Sequence, residues 1–102
     1  MKDLQKILLE LTNFLNKYDE PEWRNVFARL YQESLQYTDS YYDQSFINEI
    51  KRCFGGMGSF TDLVLHKDMK PLKKENDELE ILKDQLYEKC IELRTSQNRS
   101  SK

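Results

Sequence analysis

Cysteine, histidine and glycine are all scarce in this chain, and each shortage removes a class of chemistry. Two cysteines, Cys53 and Cys90, are too few for a disulfide framework and lack the CxxC-type spacing of a zinc or redox motif. They read as buried thiols. A single histidine, His66, would have to carry any nucleophile–histidine triad or metal site alone, and no Asp or Glu pair at helical ligand spacing brackets it. It reads as a turn-exposed imidazole beside Lys67 and Asp68. Neither sign of charge dominates: 18 acidic and 16 basic side chains leave a net charge of −2, which offers no general attraction to nucleic acid. No uninterrupted apolar run is present either. The opening segment MKDLQKILLELTNFL sets charges between its apolar residues at helical spacing and has no small-residue cleavage site, so neither a signal peptide nor a membrane span is expected. A soluble cytoplasmic protein is the expectation. Asp39, Asp43 and Glu49 are not placed in a cleft by anything in the sequence, so no enzyme, cofactor or metal site is expected.

All three glycines lie in one stretch, CFGGMGSFTD, residues 53–62. A phosphate-binding loop needs GxxxxGK[ST], but the first lysine after these glycines is Lys67. A dinucleotide fingerprint needs GxGxxG between a strand and a helix, whereas the spacing here is GGMG after a helical pattern. The remaining account is structural: Gly55 or Gly56 ends a helix in a left-handed conformation, Gly58 permits a further reversal, and Met57 tucks into the core beside Phe54 and Phe60.

What the chain does have is periodicity. With 102 residues, 38% hydrophobic and 33% charged, it suits one small domain. Leu4, Ile7, Leu8, Leu11, Phe14, Leu15 and Tyr18 recur at spacings of three and four and predict a first amphipathic helix. Pro21, after the acidic caps offered by Asp19 and Glu20, predicts the start of a second, whose stripe runs Trp23, Val26, Phe27, Leu30, Ser34 and Tyr37. So short a connection makes the two pack antiparallel. Thr38-Asp39-Ser40 is a turn. A third helix buries Phe46, Ile47, Ile50, Cys53 and Phe54, and a last one, capped by Asn76, carries Leu79, Leu82, Leu86, Cys90 and Leu93 inward to about Thr95.

Between the glycines and the last helix, residues 60–72 suit either a short helix capped by Ser59 or a small hairpin running from Leu63-Val64-Leu65 through a polar turn to Pro71-Leu72. Extended structure is the expectation there. The fold class is therefore mainly α: a bundle of about four helices over residues 1–95, with a two-stranded hairpin before the last helix and a disordered polar tail over 96–102.

One stretch has the composition of a recognition surface. YQESLQYTDSYYD, residues 31–43, mixes tyrosines with carboxylates. Tyrosine supplies large contact area at low entropic cost, and interspersed acids complement a basic partner. Glu33, Tyr37, Asp39, Tyr41, Tyr42 and Asp43 are the candidate partner-binding residues. The alternative use of the tyrosines is internal, with Tyr37 and one of Tyr41 or Tyr42 completing the core.

Residues 55–90 also resemble a signature carried by small bacterial proteins of unassigned biochemical function: GGMGSF, then DLVL, a polar turn, PL, and an END-rich start to the last helix. Proteins of this type resemble immunity proteins, small cytoplasmic inhibitors that neutralise secreted or contact-delivered toxins. The resemblance implies a stoichiometric inhibitor that occludes the active site of a toxin domain, such as a nuclease. It implies no turnover, cofactor, nucleic acid or membrane. This chain departs from the pattern at Met69, where such proteins often carry a turn glycine. Two other readings stay open: a self-associating module, from monomer to weak homodimer, pairing through Leu79, Leu82, Leu86 and Leu93, and a small-ligand protein using backbone N–H groups from Gly55 to Ser59.

Overall fold

A computed structural model describes residues 1–55 and 59–100, the last six of these by backbone alone. Four helices, α1 (Lys2–Lys17), α2 (Pro21–Ser34), α3 (Gln44–Arg52) and α4 (Lys73–Ser100), are joined with one antiparallel hairpin, β1 (His66–Lys67) and β2 (Lys70–Pro71). This is the expected mainly α architecture with a hairpin before the last helix.

The α1 stripe lands as its periodicity requires: Leu4, Leu8, Leu11 and Leu15 are wholly buried, with Ile7, Phe14 and Tyr18 packed around them. The helix ends in a double-bonded reversal, Asp19 N–H to Asn16 O and Glu20 N–H to Leu15 O, which puts Asp19 at a φ of 57°. This is the left-handed helix stop usually given to glycine. Pro21 then opens α2, but no acidic side chain caps it. Glu20 contributes its carbonyl to Arg24 N–H, and Asp19, the better cap type, is one residue too early.

α1 packs on α2 and α4, and α3 packs on α4. At their junction sits an aromatic group centred on Phe60, with ring centroids 4.6 Å from Phe27, 5.3 Å from Trp23 and 5.9 Å from Phe54. α3 stops at Arg52, and none of the described residues that follow it directly is left-handed: Cys53 is right-handed, and the N–H groups of Cys53, Phe54 and Gly55 each bond three residues back. Gly55 therefore does not act as the expected left-handed stop. Gly56, Met57 and Gly58 lie outside the described residues, and so do the roles expected of them. The mouth of the glycine loop is tied by Phe60 N–H to Cys53 O at 2.8 Å and by Thr61 Oγ1 to Phe54 O at 3.1 Å.

Residues 60–72 divide between the two readings. Phe60–Asp62 is a single 3₁₀ turn, and the hairpin is shorter than expected, with Leu63-Val64-Leu65 leading into it rather than forming its first strand. The Ser59 side chain does not cap the 3₁₀ turn. Asn76 is likewise not the cap of α4, which starts three residues earlier, with Asn76 N–H bonded to Leu72 O. α4 continues to Ser100, past the stop expected near Thr95. The polar tail expected from residue 96 falls where side chains, and then residues 101–102, are outside the description. No helix among the described residues is long and apolar enough to cross a membrane.

Candidate protein-binding site

The segment between α2 and α3 is shaped by its own backbone hydrogen bonds. The end of α2 tightens as Leu35, Gln36 and Tyr37 N–H groups bond three residues back. Thr38 and Tyr41 then exchange backbone bonds of 2.9 and 3.1 Å, closing the expected turn over Asp39 and Ser40.

The structure divides the six candidate residues. Tyr37 and Tyr42 belong to the core. Tyr42 donates its hydroxyl to Leu93 O of α4 at 2.5 Å, and burial raises its phenol pKa. Tyr37 stacks on Phe46 with centroids 5.1 Å apart and points its hydroxyl at Asp43 Oδ2, 3.4 Å away. The internal use of the tyrosines is the one that holds for this pair. Tyr41 is left outward, 66% exposed, its ring 6.2 Å from Tyr37. Six residues earlier, at the end of α2, Leu35 stands 51% exposed.

The carboxylates around them already have local partners. Asp39 pairs with the α-amino group of Met1. Glu33 lies 3.7 Å from Arg29 Nη1, which also binds Glu49 at 2.7 Å. The Glu49 hydrogen bond is the main reason the Arg29 guanidinium holds its proton even more firmly than usual. Asp43 remains exposed, facing only the Tyr37 phenol among these groups. The arrangement is a rigid corner, two buried tyrosines as roots and one exposed tyrosine as tip, with acids around it.

The other expected sites are placed differently. Leu79, Leu86 and Leu93 are buried against α1 and α3 with Leu82 half-buried beside them, so the leucine seam faces the bundle and is not open to a second helix. No group of three His, Cys, Asp or Glu residues among those described could hold a metal ion. Two polar residues invisible to periodicity carry structural weight instead. Lys83 is buried, its ammonium donating to Thr61 O at 3.1 Å, Leu63 O at 2.9 Å and Glu80 Oε1 at 3.0 Å, 5.5 Å from the Phe60 ring centroid. Asn76 bonds the backbone of Leu65 with both ends of its amide. In the sequence the second resembles a helix cap, whereas its amide serves Leu65.

A small helical protein with one short hairpin is the class this architecture defines. A family model described as a domain of unknown function, DUF6966, matches residues 16–73, more than half of the chain, and the chain belongs to that family. The matched span runs from the end of α1 to the first residue of α4, taking in the tyrosine corner, the glycine loop and the hairpin. No curated protein and no solved structure matches the chain.

Proposed function

We propose that this protein is a stoichiometric protein-binding inhibitor of the immunity type, acting in the cytoplasm on a toxin domain and performing no turnover of its own. The observation that carries the reading is the α2–α3 corner, where Tyr41 stands exposed on a turn rooted in the core by Tyr37 and Tyr42, with Leu35 exposed at the end of α2 that leads into it. A large side chain presented on a rigid support contributes most to binding because little entropy is lost when it docks. Asp39 and Asp43 flank Tyr41 two residues to either side, and Asp43 and Glu33 lie near Tyr37, so the complementary partner surface is basic, as in the active-site cleft of a nuclease.

The experiment is a titration of the purified protein against the product of the adjacent upstream gene, in parallel with Tyr41→Ala and Asp43→Lys variants. The expected result is a one-to-one complex that weakens with salt, loses about tenfold or more in affinity for Tyr41→Ala, and falls further for the charge reversal. Absence of a complex, or a complex indifferent to both variants, overturns the reading of this corner.

A further inference from the structure

The hairpin is composed against the stability of the fold at two places. Its turn residues, Asp68 and Met69, have φ values of 53° and 66°, the mirror-image turn that ordinarily takes Asn-Gly or Asp-Gly. A side chain in that region costs about 1–2 kcal/mol, and Met69 recovers none of it by burial, being 97% exposed. The second place is the first turn of α4, where Lys73 and Lys74 precede Glu75 at the positive end of the helix dipole, the end that disfavours cations. With Lys67 and Lys70 they make four lysines against Asp68 and Glu75, a net basic tip with an apolar point in a chain of net charge −2. Departures from local stability rules concentrate where a surface has another use.

The balancing acid lies further along α4. Between its outer face and α1 runs a groove of about 350 Å³ lined by Ile7, Asp84, Gln85, Glu88, Lys89 and Glu92. Its cation is already spent, for Lys89 Nζ sits 3.4 Å from Asp3 and 3.0 Å from Glu92. Among the described residues Asp84 and Glu88 form no ion pair, and Ile7 supplies an apolar wall. A molecule's own hairpin cannot fill this groove: Leu72 alone separates it from α4, and Asp84 lies eleven residues beyond Lys73, about 16 Å along the axis. The hairpin is also held in place by Leu72 N–H to Leu65 O at 3.0 Å.

We propose that the hairpin tip of one molecule docks in the α1–α4 groove of a second copy, with Met69 against Ile7 and Lys67 and Lys70 against Asp84 and Glu88. The two patches differ, so the contact is head to tail and propagates instead of closing as a two-fold pair. It is small and electrostatic, which makes it weak and sensitive to salt. It does not depend on the inhibitor reading.

Sedimentation velocity over a rising concentration series tests it, at about 50 mM and about 500 mM salt. Wild type is expected to self-associate at the lower salt and dissociate at the higher. A Lys67→Glu, Lys70→Glu variant and an Asp84→Lys, Glu88→Lys variant, each verified as folded by circular dichroism, are each expected to lose about tenfold or more in self-association. Mixed together they should associate again, because each hairpin then meets a groove of opposite charge. Met69→Gly should melt at a higher temperature and yet associate less. Wild type monomeric throughout, association surviving either charge reversal, or a mixture that stays monomeric would overturn the proposal.

Discussion

Leu65 and Asn76 exchange two hydrogen bonds: Leu65 N–H donates to Asn76 Oδ1 at 2.7 Å, and Asn76 Nδ2 donates back to Leu65 O at 3.1 Å. A side-chain amide thereby does for the segment before the hairpin what a neighbouring strand would do. Both backbone groups of Leu65, whose own side chain is buried, are satisfied from α4. The hairpin, too short to be stable alone, is thus fastened to the last helix.

Asn76→Asp keeps the acceptor and removes the donor, setting a carboxylate against the Leu65 carbonyl. It should cost about 1–3 kcal/mol at neutral pH. A protonated carboxyl carries both a donor and an acceptor, so the folded state raises this group's pKa. The lost stability should return as pH falls below about 4 and disappear again as pH rises through the folded-state value. Urea unfolding of both proteins at pH 7 and at about pH 3.5 gives the comparison, and a deficit that stays constant with pH would rule out the amide geometry as the cause.

Lys83 presents the opposite balance, a cation taken out of water to serve two carbonyls and one carboxylate. Lys83→Met keeps most of the buried stem but strips the donor from Thr61 O and Leu63 O, and is expected to destabilise by about 1–3 kcal/mol. Glu80→Gln, which spares both carbonyl contacts at an exposed partner, should cost under about 1 kcal/mol. Equal losses for the two would mean that the ion pair, rather than the carbonyl contacts, holds the 3₁₀ turn to α4. A gain for Lys83→Met would mean that desolvation of the ammonium outweighs its hydrogen bonds.

How far the sequence is legible depends on whether a residue's role is periodic. The faces of α1 and α3 were readable because Leu4, Leu8, Leu11, Phe46, Ile47 and Ile50 announce burial by spacing, and Pro21 marked the start of α2 by its fixed φ. The tyrosine stretch was readable only as a composition. Which tyrosine faces solvent depends on where the Thr38–Tyr41 turn aims the chain, and that is decided by Leu93, 51 residues from Tyr42. The roles of Lys83 and Asn76 are not legible in the sequence because a polar residue on a helix ordinarily faces water or caps an end. Their partners are backbone groups of a segment with no periodic pattern.

Among the described residues, glycine and left-handed backbone do not coincide. Asp19, Asp68 and Met69 occupy positive φ, while Gly55 occupies an ordinary conformation with only Arg52 O, at 3.8 Å, near where a Cβ would be. Asp19→Gly should therefore stabilise by up to about 1 kcal/mol by relieving the reversal at the end of α1. Gly55→Ala should also stabilise, by about 0.4–1 kcal/mol, by restricting the unfolded chain. Thermal melts of the two single variants and the double should show additive increases, since the sites share no contact. A loss for Gly55→Ala would show that the loop needs freedom at this position.

Cys90 ties the interior to alkaline pH. Burial pushes its thiol up to about 12 from an ordinary 9.0, so the folded state holds the proton more tightly than the unfolded chain does. Below the ordinary value both states are protonated and stability does not depend on this group. Between there and about 12 the unfolded state ionises first, and stability falls as pH rises, by at most about 1.4 kcal/mol per pH unit. Tyr42, also raised by burial, adds to the same slope at higher pH. Cys90→Ala should start lower at pH 7, by about 1 kcal/mol for the packing it loses, yet decline less steeply between about pH 8.5 and 10. Urea unfolding across that range measures both slopes. Parallel declines would assign the alkaline loss to tyrosines alone. A thiol reagent at pH 8 supplies the independent check: Cys53, half-buried and raised less, should react from the folded state, whereas Cys90 should react only at the rate at which the protein unfolds.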